Sequence, residues 1–292
     1  MSGDLHCHTR LSDGSLGIEE IITLAAKKGL KTIAITDHDC LAGTVRGKVI
    51  GARHGVQVIP GVEFSSTFEE IGKNIHILCY LPDSPEMLEG LCKRNSMARK
   101  RASHFMMLQV AKRYPIPTEF ITKCANGSTN LYKKHIMQAL IECGYAESFN
   151  GEMYKKLFTK ESEENILITP KYESTKDVID ATHEAGGIAI LAHPFLTGCE
   201  NNIDDLIAMG IDGIEVNHPS ANEDQQALLC KKASKAKILI TGGSDFHGLY
   251  NEYKVSLGDY TTTDDDLHAL LTYKSKQKRL QKKLAQATET NE

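Results

Sequence analysis

Six histidines and three carboxylates, the side chains that most often hold divalent metal ions, sit in or beside short apolar runs of this chain. Asp4-Leu5-His6-Cys7-His8 ends the first run, and Asp13 follows it after a turn-like stretch. His38 lies in Thr36-Asp37-His38-Asp39, Glu63 follows Val58-Ile59-Pro60, His76 lies in Asn74-Ile75-His76-Ile77, His193 follows Gly187 to Ala192, and Asp245-Phe246-His247 repeats the opening Asp-x-His. In an extended strand alternate side chains share a face, so His6 and His8 can offer both rings to one point while Cys7 turns away. Alone, a His-x-His pair is a weak signal, and any single histidine, His76 in its apolar strand above all, reads as easily as a hydrogen-bonded core residue. Nine together read as a site. A tetrahedral zinc takes four protein ligands, or three when catalytic, so this set would serve two or three ions that share carboxylates. The mixture suits manganese, iron or zinc alike. Three carboxylates leave a trinuclear site positive and ready for an anion. Such a cluster makes hydroxide from water near neutral pH, grips phosphate oxygens and stabilises the leaving oxygen of an in-line displacement, so no serine or cysteine nucleophile is required.

The elements that would position these residues are legible in the spacing. Ile18, Ile21, Ile22 and Ala25 recur at helical intervals, Glu19 and Glu20 occupy the favourable first turn, and Gly29 supplies a stop. Thr32 to Thr36 reads as a strand with a polar tip, and a helix over Leu41 to His54 closes at Gly55 before a strand that leads to Glu63. Ile188 to Ala192, Gly213 to Val216 and Lys237 to Thr241 continue the scheme. Strands alternating with helices predict parallel βα units, about seven of them, with chemistry collected at the C-terminal strand ends. Residues 82–168 break the rhythm: Glu86 to Arg113 and Leu131 to Cys143 read as helices with no β alternation between them. A helical insertion therefore separates barrel segments 1–81 and 169–292. Its first helix carries Lys93, Arg94, Arg99, Lys100 and Arg101; Arg94 and Arg101, seven apart, can share a face. These charges are either a solvated face or a phosphate clamp over the barrel mouth.

Composition narrows the class. Hydrophobic residues at 41% and charged at 25% describe a soluble globular chain, and no apolar run approaches the ~20 residues that span a bilayer. A candidate ligand already at residue 6 leaves no room for an apolar leader. The net charge of −4 argues against a general nucleic-acid coat, and nothing calls for an obligate protein partner. Eight cysteines without a C-x-x-C pair read as reduced thiols of a cytoplasmic protein. The lysine-rich stretch Lys274 to Lys283 reads as a solvated helix face. Asp37 is read as an acceptor that orients an imidazole, with turn capping as the alternative, and His218 as a proton donor to the leaving group or a phosphate contact. His54, His104, His183 and His268 read as structural.

Asp4-Leu5-His6-Cys7-His8-Thr9, Ser12-Asp13-Gly14, Thr36-Asp37-His38-Asp39, Gly61-Val62-Glu63, Ala192-His193-Pro194 and Gly242-Gly243-Ser244-Asp245-Phe246-His247-Gly248, in this order, resemble the PHP (polymerase and histidinol phosphatase) superfamily of metal-dependent phosphoesterases. The resemblance implies an α/β fold, a distorted (β/α)7 TIM-like barrel with an inserted helical cap, and places His6, His8, Asp13, His38, Glu63, His76, His193, Asp245 and His247 on the family's ligand positions; some branches have histidine in place of Asp13. Glu215-Val216-Asn217-His218-Pro219 and the insertion resemble more narrowly the branch of phosphatases acting on AMP or nucleoside 3',5'-bisphosphates and of 5'-to-3' exoribonucleases. There the cap supplies arginine to the substrate, which implies roles for Arg94, Arg99 and Arg101. Where that branch has Gly-Arg-Pro-His, this chain has Tyr132-Lys133-Lys134-His135. His135 is kept, and Lys133 or Lys134 replaces the charge without a bidentate grip.

The expected activity is hydrolysis of a small nucleotide phosphomonoester by a multinuclear metal site. Alternatives are an exoribonuclease on short RNA, for which Phe105, Tyr114 and Phe120 are the insertion's main stacking candidates, a histidinol-phosphate-type phosphatase, and a metal-binding module without turnover.

Overall fold

The computed structural model describes residues 2–289. In chain order its elements are β1 (Gly3–Asp4), α1 (Ile18–Lys27), β2 (Thr32–Ile35), α2 (Gly43–His54), β3 (Gln57–Phe68), β4 (Lys73–Tyr80), α3 (Glu89–Arg113), α4 (Thr118–Cys124), α5 (Lys133–Glu142) and α6 (Glu152–Phe158). There follow α7 (Thr175–Glu184), β5 (Ile188–Leu191), α8 (Pro194–Thr197), α9 (Ile203–Met209), β6 (Gly213–Asn217), α10 (Glu223–Ala236), β7 (Leu239–Gly242) and α11 (Asp264–Glu289). The seven strands lie in sequence order in one sheet. Gly3 and Thr262 exchange backbone hydrogen bonds, and the Leu5 N–H donates to the Gly242 carbonyl, so the sheet comes nearly full circle. This is the expected seven-stranded barrel.

Not every strand is parallel. β4 runs antiparallel to both β3 and β5, while the remaining pairs are parallel. A connection of only Glu69 to Gly72 joins β3 to β4, and so short a link joins only antiparallel neighbours. β3 also runs on to Phe68, so Glu63 sits within a strand and not past its end.

Burial follows the predicted periodicities. Ile18, Ile21, Ile22 and Ala25 of α1 pack on Ile33, Ile35 and Val58 outside the barrel. Leu5, Ala34, Ile59, Leu78, Tyr80, Ile188 and Ile190 fill its interior, with Leu267 and Leu270 of α11 joining that cluster. Helix α2 presents glycines to the sheet, and a Cβ on Gly51 would stand 2.5 Å from the Val56 carbonyl oxygen, so only glycine allows that approach.

Helices α3 to α6 occupy the inserted stretch and have a core of their own, including Met106, Val110, Ile121, Ile136, Leu140 and Leu157. Tyr114 and Phe120 pack against that core, and Phe105 is 57% exposed; none of the three lines the cavity at the barrel mouth, so the stacking surface expected of them is not formed there. Along α11, Lys276, Lys278, Arg279 and Lys282 are exposed, as expected of a solvated face, whereas Lys274 bonds the Leu81 and Gly186 carbonyls. Among the described residues no helix is long and apolar enough to cross a membrane.

Candidate metal centre

The nine predicted ligands converge at one end of the barrel. His6 and His8 follow β1, His38 follows β2, Glu63 lies in β3, His76 in β4, His193 follows β5, and Asp245 and His247 follow β7. Glu63 is the hub: its Oε1 lies 2.9 Å from His76 Nδ1 and 2.8 Å from His193 Nε2, and its Oε2 lies 3.0 Å from His38 Nδ1 and 3.2 Å from His8 Nε2. Asp245 Oδ1 lies 3.4 Å from His6 Nε2 and 3.2 Å from His8 Nε2, while Asp13 faces His247 Nε2 at 3.3 Å and His38 Nε2 at 3.7 Å. Two ligand atoms on one tetrahedral ion stand roughly 3.4 Å apart. The spacing therefore suits shared ions, and the donor atoms fall into overlapping groups, among them His6-His8-Asp245, His38-Glu63-His76 and His8-Asp13-His38-His247.

A second observation supports the fit. His6 Nε2, His8 Nε2, Asp13 Oδ1, His38 Nδ1, His193 Nδ1 and Asp245 Oδ1 are buried without a hydrogen-bond partner among the described residues. Buried polar atoms are rarely left so, and atoms of these types could be donors to a cation. Burial alone would neutralise the carboxylates, yet the surrounding imidazoles hold Glu63, Asp13 and Asp245 well below the usual carboxylate range. Burial likewise opposes charge on His8, but Asp245, Glu63 and Asp13 push its pKa up to about 10.

The backbone is shaped to this end. Asp39, His193 and Asp245 have positive φ (50°, 25° and 50°), a conformation side chains other than glycine rarely adopt. Gly243 lies so close to His6 that a Cβ there would stand 2.4 Å from the His6 Cβ. Ring orientations are set from behind, as in metal sites generally. His6 Nδ1 is 2.9 Å from Glu215 Oε1, and His247 Nδ1 is 2.8 Å from the Asp245 carbonyl oxygen, which leaves both Nε2 atoms free to ligate.

A family model described as the PHP domain matches residues 4–277. The chain belongs to the PHP domain family. It is a metal-dependent phosphoesterase of that family. Over 256 residues it is 33% identical to phosphoribosyl 1,2-cyclic phosphate 1,2-diphosphodiesterase of Eggerthella lenta, covering 86% of this chain and 95% of the relative. It is 29% identical to a 5'-3' exoribonuclease of Haemophilus influenzae (84% of this chain, 89% of the relative). It is 28% identical to a 3',5'-nucleoside bisphosphate phosphatase of Chromobacterium violaceum (84% and 86%). A solved structure from Bifidobacterium adolescentis, assigned as a metal-dependent phosphoesterase, aligns with a TM-score of 0.83 at 29% identity over 92% of this chain and 95% of its own.

Outside the ligand set, the PHP site differs from several expectations. Asp37 touches no imidazole: its carboxylate accepts Thr9 N–H at 2.7 Å, the Thr9 hydroxyl at 2.7 Å and the Ser12 hydroxyl at 2.6 Å. It reaches His8 only through Ser12, whose Oγ is 3.3 Å from His8 Nδ1, so Asp37 braces the loop and acts on that ring indirectly. Arg94 is largely exposed and bonds Glu173, Arg101 is exposed, and neither lines the cavity, so the two form no clamp over the mouth. Arg99 does line it: Nη2 donates to Asp39 Oδ2 at 3.0 Å and Ser65 Oγ at 2.6 Å. Burial opposes its charge, but Tyr172, Tyr132 and Asp39 keep its pKa raised. Lys134 lines the cavity beside Asn150 and above the Tyr154 ring. His135 does not; its Nδ1 accepts the Tyr132 N–H at 3.2 Å, and burial lowers its pKa to about 4, so it caps α5 as a neutral ring.

Three buried carboxylates, Asp4, Asp39 and Glu215, escaped assignment, Asp39 being the partner of Arg99. Glu215 braces His6 and accepts the His193 N–H at 3.0 Å, and Asp4 ties β1 to the loop after β7 through Ser244 N and Gly258 N. Glu215 is one acid between apolar residues of a predicted strand, a signal for a buried partner that spacing alone does not resolve.

Proposed function

We propose that the chain hydrolyses a phosphomonoester of a small nucleotide, with two or three divalent ions of manganese, iron or zinc type held by His6, His8, Asp13, His38, Glu63, His76, His193, Asp245 and His247. The observation that carries this reading is the cavity at the barrel mouth, about 330 Å³, near the lower end of small-molecule sites. One wall is Asp13, His38, Glu63, His193 and Asp245; the other is Met106, Leu167, Ile168, Tyr154 and Tyr172, contributed by the cap and the segment that follows it. A phosphate suits the first wall and a flat apolar body the second. Bound ions supply an activated water and offset the phosphate charge.

The protein groups act around that chemistry. Arg99 and Lys134 offer positive charge to the ester. The Ser220 N–H donates to His218 Nδ1 at 3.0 Å, which leaves Nε2, 3.5 Å from Asp245 Oδ2, as the ring nitrogen that can donate. This geometry supports His218 as the proton donor to the leaving oxygen. Similarity to the nucleoside bisphosphate phosphatase supports the nucleotide. Similarity to the cyclic phosphate phosphodiesterase favours a second reading, opening of a cyclic ribose phosphate diester.

The test compares manganese-dependent hydrolysis of AMP, adenosine 3',5'-bisphosphate, phosphoribosyl 1,2-cyclic phosphate, histidinol phosphate and a short 5'-phosphorylated RNA, with His8→Ala and Asp245→Ala as controls that lose turnover and metal. Highest kcat/KM on a mononucleotide supports the proposal. Preference for the cyclic diester, histidinol phosphate or RNA would replace it, and silence on all five would leave a metal module without turnover.

A further inference from the structure

Tyr132 caps the start of α5 at 5% exposure, lines the same cavity as Asp13, His38 and Asp245, and buries its hydroxyl without a hydrogen-bond partner among the described residues. A phenol left so costs free energy that a bound oxygen would recover. The ring is held in place. His38 stacks on it at 6.0 Å between centroids with planes 20° apart, the Arg99 Cζ stands 4.8 Å from its centroid, and the His135 ring meets it edge-on at 5.7 Å. So constrained, the hydroxyl has little freedom to seek another partner.

Arg99 repeats the pattern. Its Nη2 is engaged by Asp39 and Ser65, whereas its Nε is buried and unpartnered among the described residues. Arg99 Nε can only donate and a neutral phenol can donate, and both residues line the cavity that holds the ligand cluster. The group that accepts from two such donors at once is an oxyanion. We infer that Tyr132 contacts the substrate, its hydroxyl donating a hydrogen bond to a phosphoryl oxygen alongside Arg99 Nε. This rests on the phosphoesterase reading of the site and adds a specific recognition group to it.

The experiment uses Tyr132→Phe in the full manganese-loaded chain, with inorganic phosphate as the probe. A hydrogen bond to a charged acceptor carries enough free energy that its loss should weaken phosphate binding roughly 10- to 100-fold by calorimetry, with manganese content and Tm unchanged. For whichever ester of the panel is turned over, kcat/KM should fall by a similar factor. Phosphate affinity equal to that of the unmodified chain would overturn the inference. Because phosphate binding is read without turnover, silence on the ester panel would count against the proposed activity and leave this test intact. Should Tyr132→Phe fold poorly, absorbance of a chain without tryptophan decides: phosphate should perturb the tyrosine spectrum equally in the unmodified chain and in Tyr154→Phe, Tyr172→Phe and Tyr250→Phe, whose tyrosines line the same cavity, and an unperturbed spectrum, or a perturbation lost with one of those three, would refute the contact.

Discussion

Glu215 shows how much of the centre depends on residues behind the ligands. One of its oxygens holds His6 Nδ1 and the other the His193 N–H, so it aligns ligands from two strands. Glu215→Gln keeps the volume but can no longer accept at both positions; metal affinity should fall about 10- to 100-fold, measured by competition with a chelator, and an unchanged affinity would remove Glu215 from the centre. The arginines separate in the same manner. Arg99→Met should raise KM and, by leaving Asp39 Oδ2 without its cation while Oδ1 keeps the Ser65 N–H and Asn95, cost about 1–3 kcal/mol in denaturant melts, whereas Arg94→Ala and Arg101→Ala should leave KM within error. Equal effects from all three would restore the wider clamp. The nine candidates, which the structure brings together, were readable because all but Asp13 lie in or beside a short apolar run where a polar side chain stands out. Arg99 was not separable from Arg94 and Arg101, since a helical run of cations does not say which one faces inward.

At the scale of elements, the antiparallel β4 brings His76 against Glu63. β3 and β4 pair Ser65 with His76 and Glu63 with Leu78, so the hairpin places His76 Nδ1 at 2.9 Å from the hub carboxylate. Alternation of strands and helices suggested parallel units throughout, and the short Glu69 to Gly72 link was the overlooked signal. Elsewhere Asp212, just before β6, joins three elements: it accepts the Ala189 N–H of β5 and the Tyr273 hydroxyl of α11 and pairs with His183 Nε2 of α7 at 2.8 Å. The Asp212 hydrogen bond, opposed by partial burial, raises the His183 pKa above its usual 6.5. His183 therefore binds its proton more tightly folded than unfolded. Its contribution is full below about pH 6.5 and fades as the pH rises through the raised folded value. Because the pair is partly exposed, His183→Gln should cost only about 0.2–1 kcal/mol at pH 5.5, and the Tm difference from the parent should shrink by pH 9. A constant difference would assign the loss to packing.

For the whole molecule, the ligand cluster joins residues from both ends of the chain. Asp13 and His247 meet at 3.3 Å although they lie far apart in sequence, so ions bound there would clasp the barrel's first and last units. Manganese at 100 times its Kd should stabilise the fold by about 2.7 kcal/mol per site, seen as a rise in Tm that chelation reverses; equal Tm with and without manganese would count against a native-state metal site. Residue types and local spacing alone picked out the nine candidate ligands, the seven-strand barrel plan and the helical stretch after β4, because periodicity and the ends of apolar runs are local properties of a chain. Tertiary structure alone decided that Asp37 braces a loop, that Glu215 stands behind His6, and that of three arginines only Arg99 lines the cavity. Those outcomes depend on which surfaces meet in three dimensions, and sequence distance does not encode such encounters.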